Sequence, residues 1–199
     1  MDPLKNPFAP GAGSRPPALV GRDEIVRAAE IALHRVIAGR PEKGQILLGL
    51  RGVGKTVLLN RIGEMAEEVG YRVVHLEAPE GQRLARYLAP ALKGVLVKIS
   101  RVDKSRELAG RALGALRGFA SAFKVSIGEL ALEVTGPPEA DSGNLEIDLP
   151  ELLVSAGRAA RAAETGIAIL VDEVQYLGED DLRALIVAMH RVSQAGLPV

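Results

Sequence analysis

Eight residues constrain this chain more than any others: Gly49-Leu50-Arg51-Gly52-Val53-Gly54-Lys55-Thr56 fit the pattern G-x-x-x-x-G-K-[ST]. Glycines at 49, 52 and 54 let the backbone curl until successive N–H groups point inward, which makes a cradle for phosphate oxygens. A helix beginning near Gly54 aims the positive end of its dipole at the same anion. Lys55 brings a mobile point charge to the β- and γ-phosphates, and the Thr56 hydroxyl suits Mg²⁺. Such a loop works only between a strand and a helix, so it dictates an α/β architecture around itself. Val57 begins the helix beside it. Arg51 lies inside the loop, where it reaches either a phosphate or, more simply, solvent.

A second element answers the first. Ile167-Ala168-Ile169-Leu170-Val171-Asp172-Glu173 is an apolar run closed by two acids. A buried strand ending in Asp172 places a carboxylate where Mg²⁺ is held in phosphate-loop proteins. Glu173, just beyond, is the candidate base that orients or deprotonates an attacking water. Gln175 is weighed as a water or γ-phosphate contact against a plain loop residue. Tyr176 and Leu177 read as core.

The rest of the chain supplies the expected alternation. Apolar stripes at helical spacing predict helices over about 22–38, 54–69, 82–99, 104–123 and 179–195. Tyr71–Glu77 and Gly166–Glu173 predict strands, and Gln45–Gly49 a further buried strand leading into the loop. Period-two alternation through Val125, Ile127, Leu130, Leu132 and Val134 predicts a β-hairpin. Asp148, followed by Pro150 and Glu151, predicts the start of a helix that runs to about Thr165. Residues 1–17, rich in proline and glycine, predict an extended arm. Strands alternating with helices give a mostly parallel sheet with ligands at the C-terminal ends of its strands.

Composition excludes several classes. No cysteine is present, so disulfide scaffolds, cysteine zinc sites, iron–sulfur clusters and thiol nucleophiles are out. His34, His75 and His190 lack ligand-like spacing. Lys and Arg balance Asp and Glu at 25 each, which argues against DNA binding by the whole surface. Basic residues do concentrate in 83–124 and acidic ones in 129–151. Solvated, mutually neutralising faces are the simpler reading, since no aromatics interleave with the bases. Charges interrupt every apolar run before membrane-spanning length, and the N-terminus lacks a secretory pattern, so a cytoplasmic protein is expected.

With these residues on the page, Gly49–Thr56 resembles a Walker A motif and Ile167–Glu173 a Walker B motif with the adjacent catalytic acid. No guanine-recognition motif is found. Leu19-Val20-Gly21-Arg22-Asp23-Glu24 resembles the segment that lies against adenine in AAA+ and STAND ATPases. Asp172-Glu173-Val174-Gln175-Tyr176-Leu177 and the leader Asn6–Pro17 resemble a prokaryotic ATPase group related to the Orc1/Cdc6 initiators. The resemblance implies a three-layer α/β/α P-loop NTPase fold with a mostly parallel sheet over 18–199. The long stretch between Thr56 and Asp172 implies an inserted helical and β-hairpin segment at about 94–146. A lid domain, sensor residues and an arginine finger have no matching positions, which implies an N-terminal part of a longer ATPase domain.

Under this resemblance ATP or ADP with Mg²⁺ is the ligand. Val20, Gly21 and Arg22 are candidate adenine contacts. Gly49, Gly52, Gly54, Lys55 and Thr56 bind the phosphates, and Arg51, Val53 and Val57 complete the candidate nucleotide-binding set. Thr56 and Asp172 hold the metal, and Lys55 and Glu173 are catalytic. ATP hydrolysis coupled to conformational change is the leading expectation, weak in this chain alone. A nucleotide-gated switch or scaffold with negligible turnover is one alternative. An initiator-like ATPase, with DNA or protein partners engaged outside this chain, is another, and a small-molecule kinase a third. Self-association is left open.

Overall fold

The computed structural model describes residues 21–50, 52–129 and 139–199. The proline-rich arm, Val20, Arg51 and the second half of the expected hairpin lie outside them. The described elements run α1 (Asp23–Ile37), α2 (Lys55–Glu68), β1 (Tyr71–Glu77), α3 (Leu84–Ile99), α4 (Arg106–Ala122), α5 (Leu145–Ala162), β2 (Gly166–Asp172) and α6 (Glu179–Gln194). Single 3₁₀ turns precede α4 and follow β2. The five predicted helices at 22–38, 54–69, 82–99, 104–123 and 179–195 and both strands around 71–77 and 166–173 are therefore present within a few residues.

β1 and β2 pair in parallel, with Tyr71 opposite Gly166 and Glu77 opposite Asp172. Alternation then assigns faces. Val74 and Leu76 of β1 and Ile167 of β2 enter the main core with α3 and α5. On the other face the Tyr71 hydroxyl donates to the Leu33 carbonyl of α1 at 2.7 Å. Burial pushes that phenol up to about 12, partly opposed by the Ile37 N–H. Also on this face, His75 and Leu170 crowd Gly63 of α2; a Cβ there would come within 2.8 Å of the imidazole and 2.9 Å of the leucine. Helices thus cover both faces in three layers.

Most of the core is helical. Apart from Leu58, the largest fully buried side chains all come from α3, α4 and α5, among them Leu88, Leu92, Leu96, Leu113, Leu116, Phe119 and Leu152. Small buried residues line both α4 (Ala109, Gly110, Ala112) and α5 (Ala156, Ala160), while Gly157 of α5 makes room for Leu197 and Val199, which a Cβ there would meet at 2.9 Å. Truncating one of the buried leucines costs about 3 kcal/mol.

Four expectations need correction. Gln45–Gly49 forms no strand. Ile46 and Leu48 stay in solvent, 60% and 88% exposed, and Leu47 is half-buried; Leu50 just beyond is 80% exposed. A strand needs a neighbour, and among the described residues none offers a ladder. On the β2 edge away from β1, among the described residues, only Ile167 is engaged, its N–H donating to the Pro198 carbonyl at 2.8 Å. Residues 125–129 also form no strand. Val125 and Ile127 pack on the core, and Lys93 Nζ donates to the carbonyls of Ile127 (2.6 Å) and Glu129 (2.7 Å). Period two here marks a one-sided chain on a helical layer.

Third, α5 starts one turn before Asp148. Asn144 is its cap, the side chain accepting from the Glu146 N–H at 3.0 Å. Asp148 is fully buried inside the helix and accepts from Ser142 N–H (3.1 Å), Ser142 Oγ–H (2.7 Å) and Gly143 N–H (2.8 Å). Its carboxylate folds the preceding loop, a role that a capping-box reading mistook for a helix start. Fourth, Tyr176 is 44% exposed, while its neighbour Leu177 is buried as expected.

Two measurements check this account. Asp148→Ala strands three donors and should lower unfolding stability by about 3 kcal/mol in a urea titration, with Asp148→Asn costing less. Amide exchange should be faster at Ile169 and Val171, whose N–H groups face the open edge, than at Ala168 and Leu170, which face β1.

Candidate functional site

The link from α2 to β1 is two residues, Val69 and Gly70. So short a link makes α2 run back along the strand it feeds. The helix spans about 21 Å and the strand about 23 Å, so the two match in length. The C-terminal end of α2 lies at the edge where β1 starts, and Gly54, Lys55 and Thr56 at the edge where β1 and β2 end. Phosphate loop and Asp172 thus share one end of the sheet.

Gly52 and Gly54 both have φ of +82°, a conformation that costs side-chain residues about 1–2 kcal/mol. Gly54 caps α2 in this left-handed state, and the first helical bond runs from the Leu58 N–H to the Gly54 carbonyl at 3.0 Å. No acid sits in the first turn of α2, so the dipole end is free for an anion. Lys55 Nζ donates to the carbonyls of Gly49 and Leu50, 2.9 Å each. The lysine therefore closes the loop on itself. Thr56 and Val57 follow in the first turn, half-buried.

Arg22, just before α1, donates from Nη2 to the Val53 carbonyl at 2.5 Å. The structure thereby places the segment entering α1 against the phosphate loop. Gly21 is exposed with φ of +76°. Val20 and Arg51 belong to the residues not described.

At the end of β2, Asp172 lies on the α2 side of the sheet, in phase with Ala168 and Leu170. Strand alternation would turn Glu173 to the opposite face. Instead Glu173 takes φ +54°, ψ +38°, and its N–H donates to Asp172 Oδ1 at 2.9 Å. That break keeps Glu173 exposed at the same edge. Gln175 Nε2 donates to Glu173 Oε2 across the 3₁₀ turn.

Sequence reasoning missed two neighbours. Glu77 is the direct partner of Asp172 across the ladder, so it shares the α2 face and stands exposed. The available signal was a second strand ending in an acid. Asp181, buried in the first turn of α6, accepts from the Leu84 N–H at 2.8 Å and ties the starts of α3 and α6 together at this edge. Beside it the Tyr87 hydroxyl is buried with no hydrogen-bond partner among the described residues; desolvation, aided by the Asp181 charge, pushes the phenol up to about 12. His34, His75 and His190 are all exposed, and among the described residues no group of three potential ligands could hold a metal without help from substrate oxygens or water.

A family model for the AAA ATPase domain matches residues 18–199. No curated protein and no solved structure matches the chain.

Lys55 as a clasp makes a prediction for the nucleotide-free protein. Lys55→Ala should speed amide exchange across 49–54 and leave unfolding stability within about 1 kcal/mol of the parent.

Proposed function

This chain belongs to the AAA ATPase domain family, and from that premise we propose that it binds Mg-ATP in the loop 49–56 and hydrolyses the β–γ phosphoanhydride. The observation that carries the reading is the meeting, at one sheet edge, of a left-handed glycine loop, a helix N-terminus without acids, and a strand ending in Asp172-Glu173. Membership supports nucleotide binding; the residue roles that follow are our own assignment.

Backbone N–H groups of 52–56 and the dipole of α2 hold the phosphates. Lys55 leaves the Gly49 and Leu50 carbonyls and turns to the β- and γ-oxygens, so an internal hydrogen-bond set is exchanged for a stronger, charge-assisted one. Val20 and Gly21 lie against the adenine, and Arg22 couples that segment to the loop through Val53. Glu173 accepts a proton from the attacking water as the new P–O bond forms and the bond to the ADP oxygen breaks. ADP and inorganic phosphate leave, and the proton passes from Glu173 to solvent.

Thr56 and Asp172 are the residues that would hold Mg²⁺. They fit: among the described residues Asp172 Oδ2 has no hydrogen-bond donor while Oδ1 accepts from the Glu173 N–H, and Mg²⁺ needs only one or two protein ligands beside water and phosphate oxygens. The ion would neutralise charge on the β- and γ-phosphates. Coupling to motion in an AAA+ or STAND manner is part of the same proposal, as are an arm at 1–17 and an insertion at about 94–146. No helix among the described residues is long and apolar enough to cross a membrane.

Calorimetric titration with ATP, ADP and GTP in Mg²⁺ tests the reading. Adenine-selective binding is expected, and Lys55→Ala should weaken it at least 100-fold. Glu173→Gln should retain ATP affinity and lower turnover by roughly 10²-fold or more. GTP binding equal to ATP, or affinity indifferent to Lys55, would refute it.

A further inference from the structure

We propose that Glu77 is a further positioning residue of the metal site: its carboxylate stands beside Asp172 and accepts hydrogen bonds from water bound to Mg²⁺. The inference deepens the reading above and rests on it, since Thr56 and Asp172 must first hold the ion beside ATP.

Register and helix phase carry it. Glu77 is the ladder partner of Asp172. Such partners lie about 4.8 Å apart and turn their side chains to the same face. The ladder reaches one step further, with the Ala78 N–H donating to the Asp172 carbonyl at 3.1 Å, so the backbone at Glu77 is fixed beside Asp172. The next pair back on this face is His75 and Leu170, and both stand against Gly63 of α2. Thr56 precedes Gly63 by two helical turns, so it shares the helix face that Gly63 turns to the sheet. Two turns carry Thr56 about 10.5 Å toward the start of α2, while Glu77 and Asp172 lie about 6.7 Å along their strands in the same direction. Thr56 therefore overhangs the carboxylate pair by about 4 Å, on the face that both carboxylates share.

Glu77 has no other engagement there. It is exposed, and among the described residues it makes no ion pair or hydrogen bond. Lys55, the cation of the loop, is held by the Gly49 and Leu50 carbonyls. Glu173 differs, because its N–H is tied to Asp172 and its carboxylate accepts from Gln175. Two carboxylates side by side repel each other, and a divalent cation removes that repulsion. Mg²⁺ gives up its water reluctantly and is held through one or two protein oxygens. Each remaining water is a polarised donor in need of an acceptor, and an ionised carboxylate is a strong one. A glutamate, one methylene longer than Asp172 and on the adjacent strand, suits that outer position. Outer partners of this kind are worth roughly 10–100-fold in metal affinity.

The test uses the whole chain with Mn²⁺ in place of Mg²⁺, because binding is read directly from the loss of the free ion's paramagnetic resonance signal. With a non-hydrolysable ATP analogue present, Glu77→Gln should weaken Mn²⁺ binding roughly tenfold. With metal chelated, calorimetry should show the same variant binding the analogue more tightly than the parent, because one negative charge beside the triphosphate is gone. A merely structural defect would weaken both. Glu80→Gln removes an equal charge from the exposed loop after β1, off the ladder, and should change Mn²⁺ binding by less than about twofold, since such charges are screened.

Equal Mn²⁺ affinity in the parent and Glu77→Gln, with the analogue bound to both, overturns the role of Glu77 alone. So does a Glu77→Gln variant that weakens both the metal and the metal-free nucleotide. An equal loss in Glu80→Gln overturns it as well, because the effect would then be bulk charge. A parent that binds no ATP, or binds it regardless of Lys55, overturns the reading on which the inference rests, and calorimetry shows that before Mn²⁺ is added.

Discussion

The two-residue link between α2 and β1 is the constraint from which the site follows. A helix that must deliver its C-terminal end to the start of β1 has its N-terminal end at the finish of β1. Parallel pairing then brings the finish of β2 to the same edge. A longer link would free α2 to lie at other angles, and the glycine loop would no longer be bound to meet Asp172. Gly63 adds to the constraint, since a Cβ there would come within 2.9 Å of the ends of His75 and Leu170 and force them to shift.

The helical layer on the opposite face does a different job. Leu84 to Ile99 and Leu149 to Leu153 bury an apolar ridge against β1 and β2 that is independent of the phosphate loop. Asp181 converts that bulk into position: by accepting the Leu84 N–H it fixes where α3 and α6 begin, and both begin at the edge that carries the site. Stability and site geometry are thus supplied by different residues. Lys55 and Glu173, the residues proposed for chemistry, are exposed or half-exposed and can be changed with little effect on folding, whereas changes at Asp148 or Asp181 act on the frame.

Helices were the most legible part of the sequence, because a stripe such as Leu84, Leu88, Leu92, Leu96 is a local pattern whose burial needs only one partner face. The site motifs were legible for a related reason. Glycines at 52 and 54 both take the left-handed backbone that glycine favours, so the loop's shape follows from residue type and spacing. What failed was what depends on a second chain segment. Gln45–Gly49 has the composition of a strand, but ladder bonds belong to pairs, and no described neighbour supplies them. Val125 and Ile127 alternate like a hairpin, but Lys93 satisfies the carbonyls. Asp148 looked like a cap because its three acceptor contacts, all to residues five and six positions back, are invisible in a linear pattern. Gln175 reads in the sequence as a water or γ-phosphate contact or a plain loop residue, and its contact with Glu173 stays hidden because the left-handed backbone at Glu173 carries no glycine to announce it.

That backbone state is where local preference and site chemistry conflict. Adjacent residues in a strand point to opposite faces, so a carboxylate pair at 172–173 would ordinarily place one acid beside α2 and drive the other into the apolar layer beneath. Burying an unpaired carboxylate there would cost several kcal/mol. Left-handed geometry at a glutamate costs about 1–2 kcal/mol. The smaller penalty wins. The hydrogen bond from the Glu173 N–H to Asp172 Oδ1 offsets part of it and fixes the point at which alternation stops. The strand must therefore end at Asp172, one residue short of the apolar-plus-acid run seen in the sequence, if both carboxylates are to remain on the edge that faces the loop.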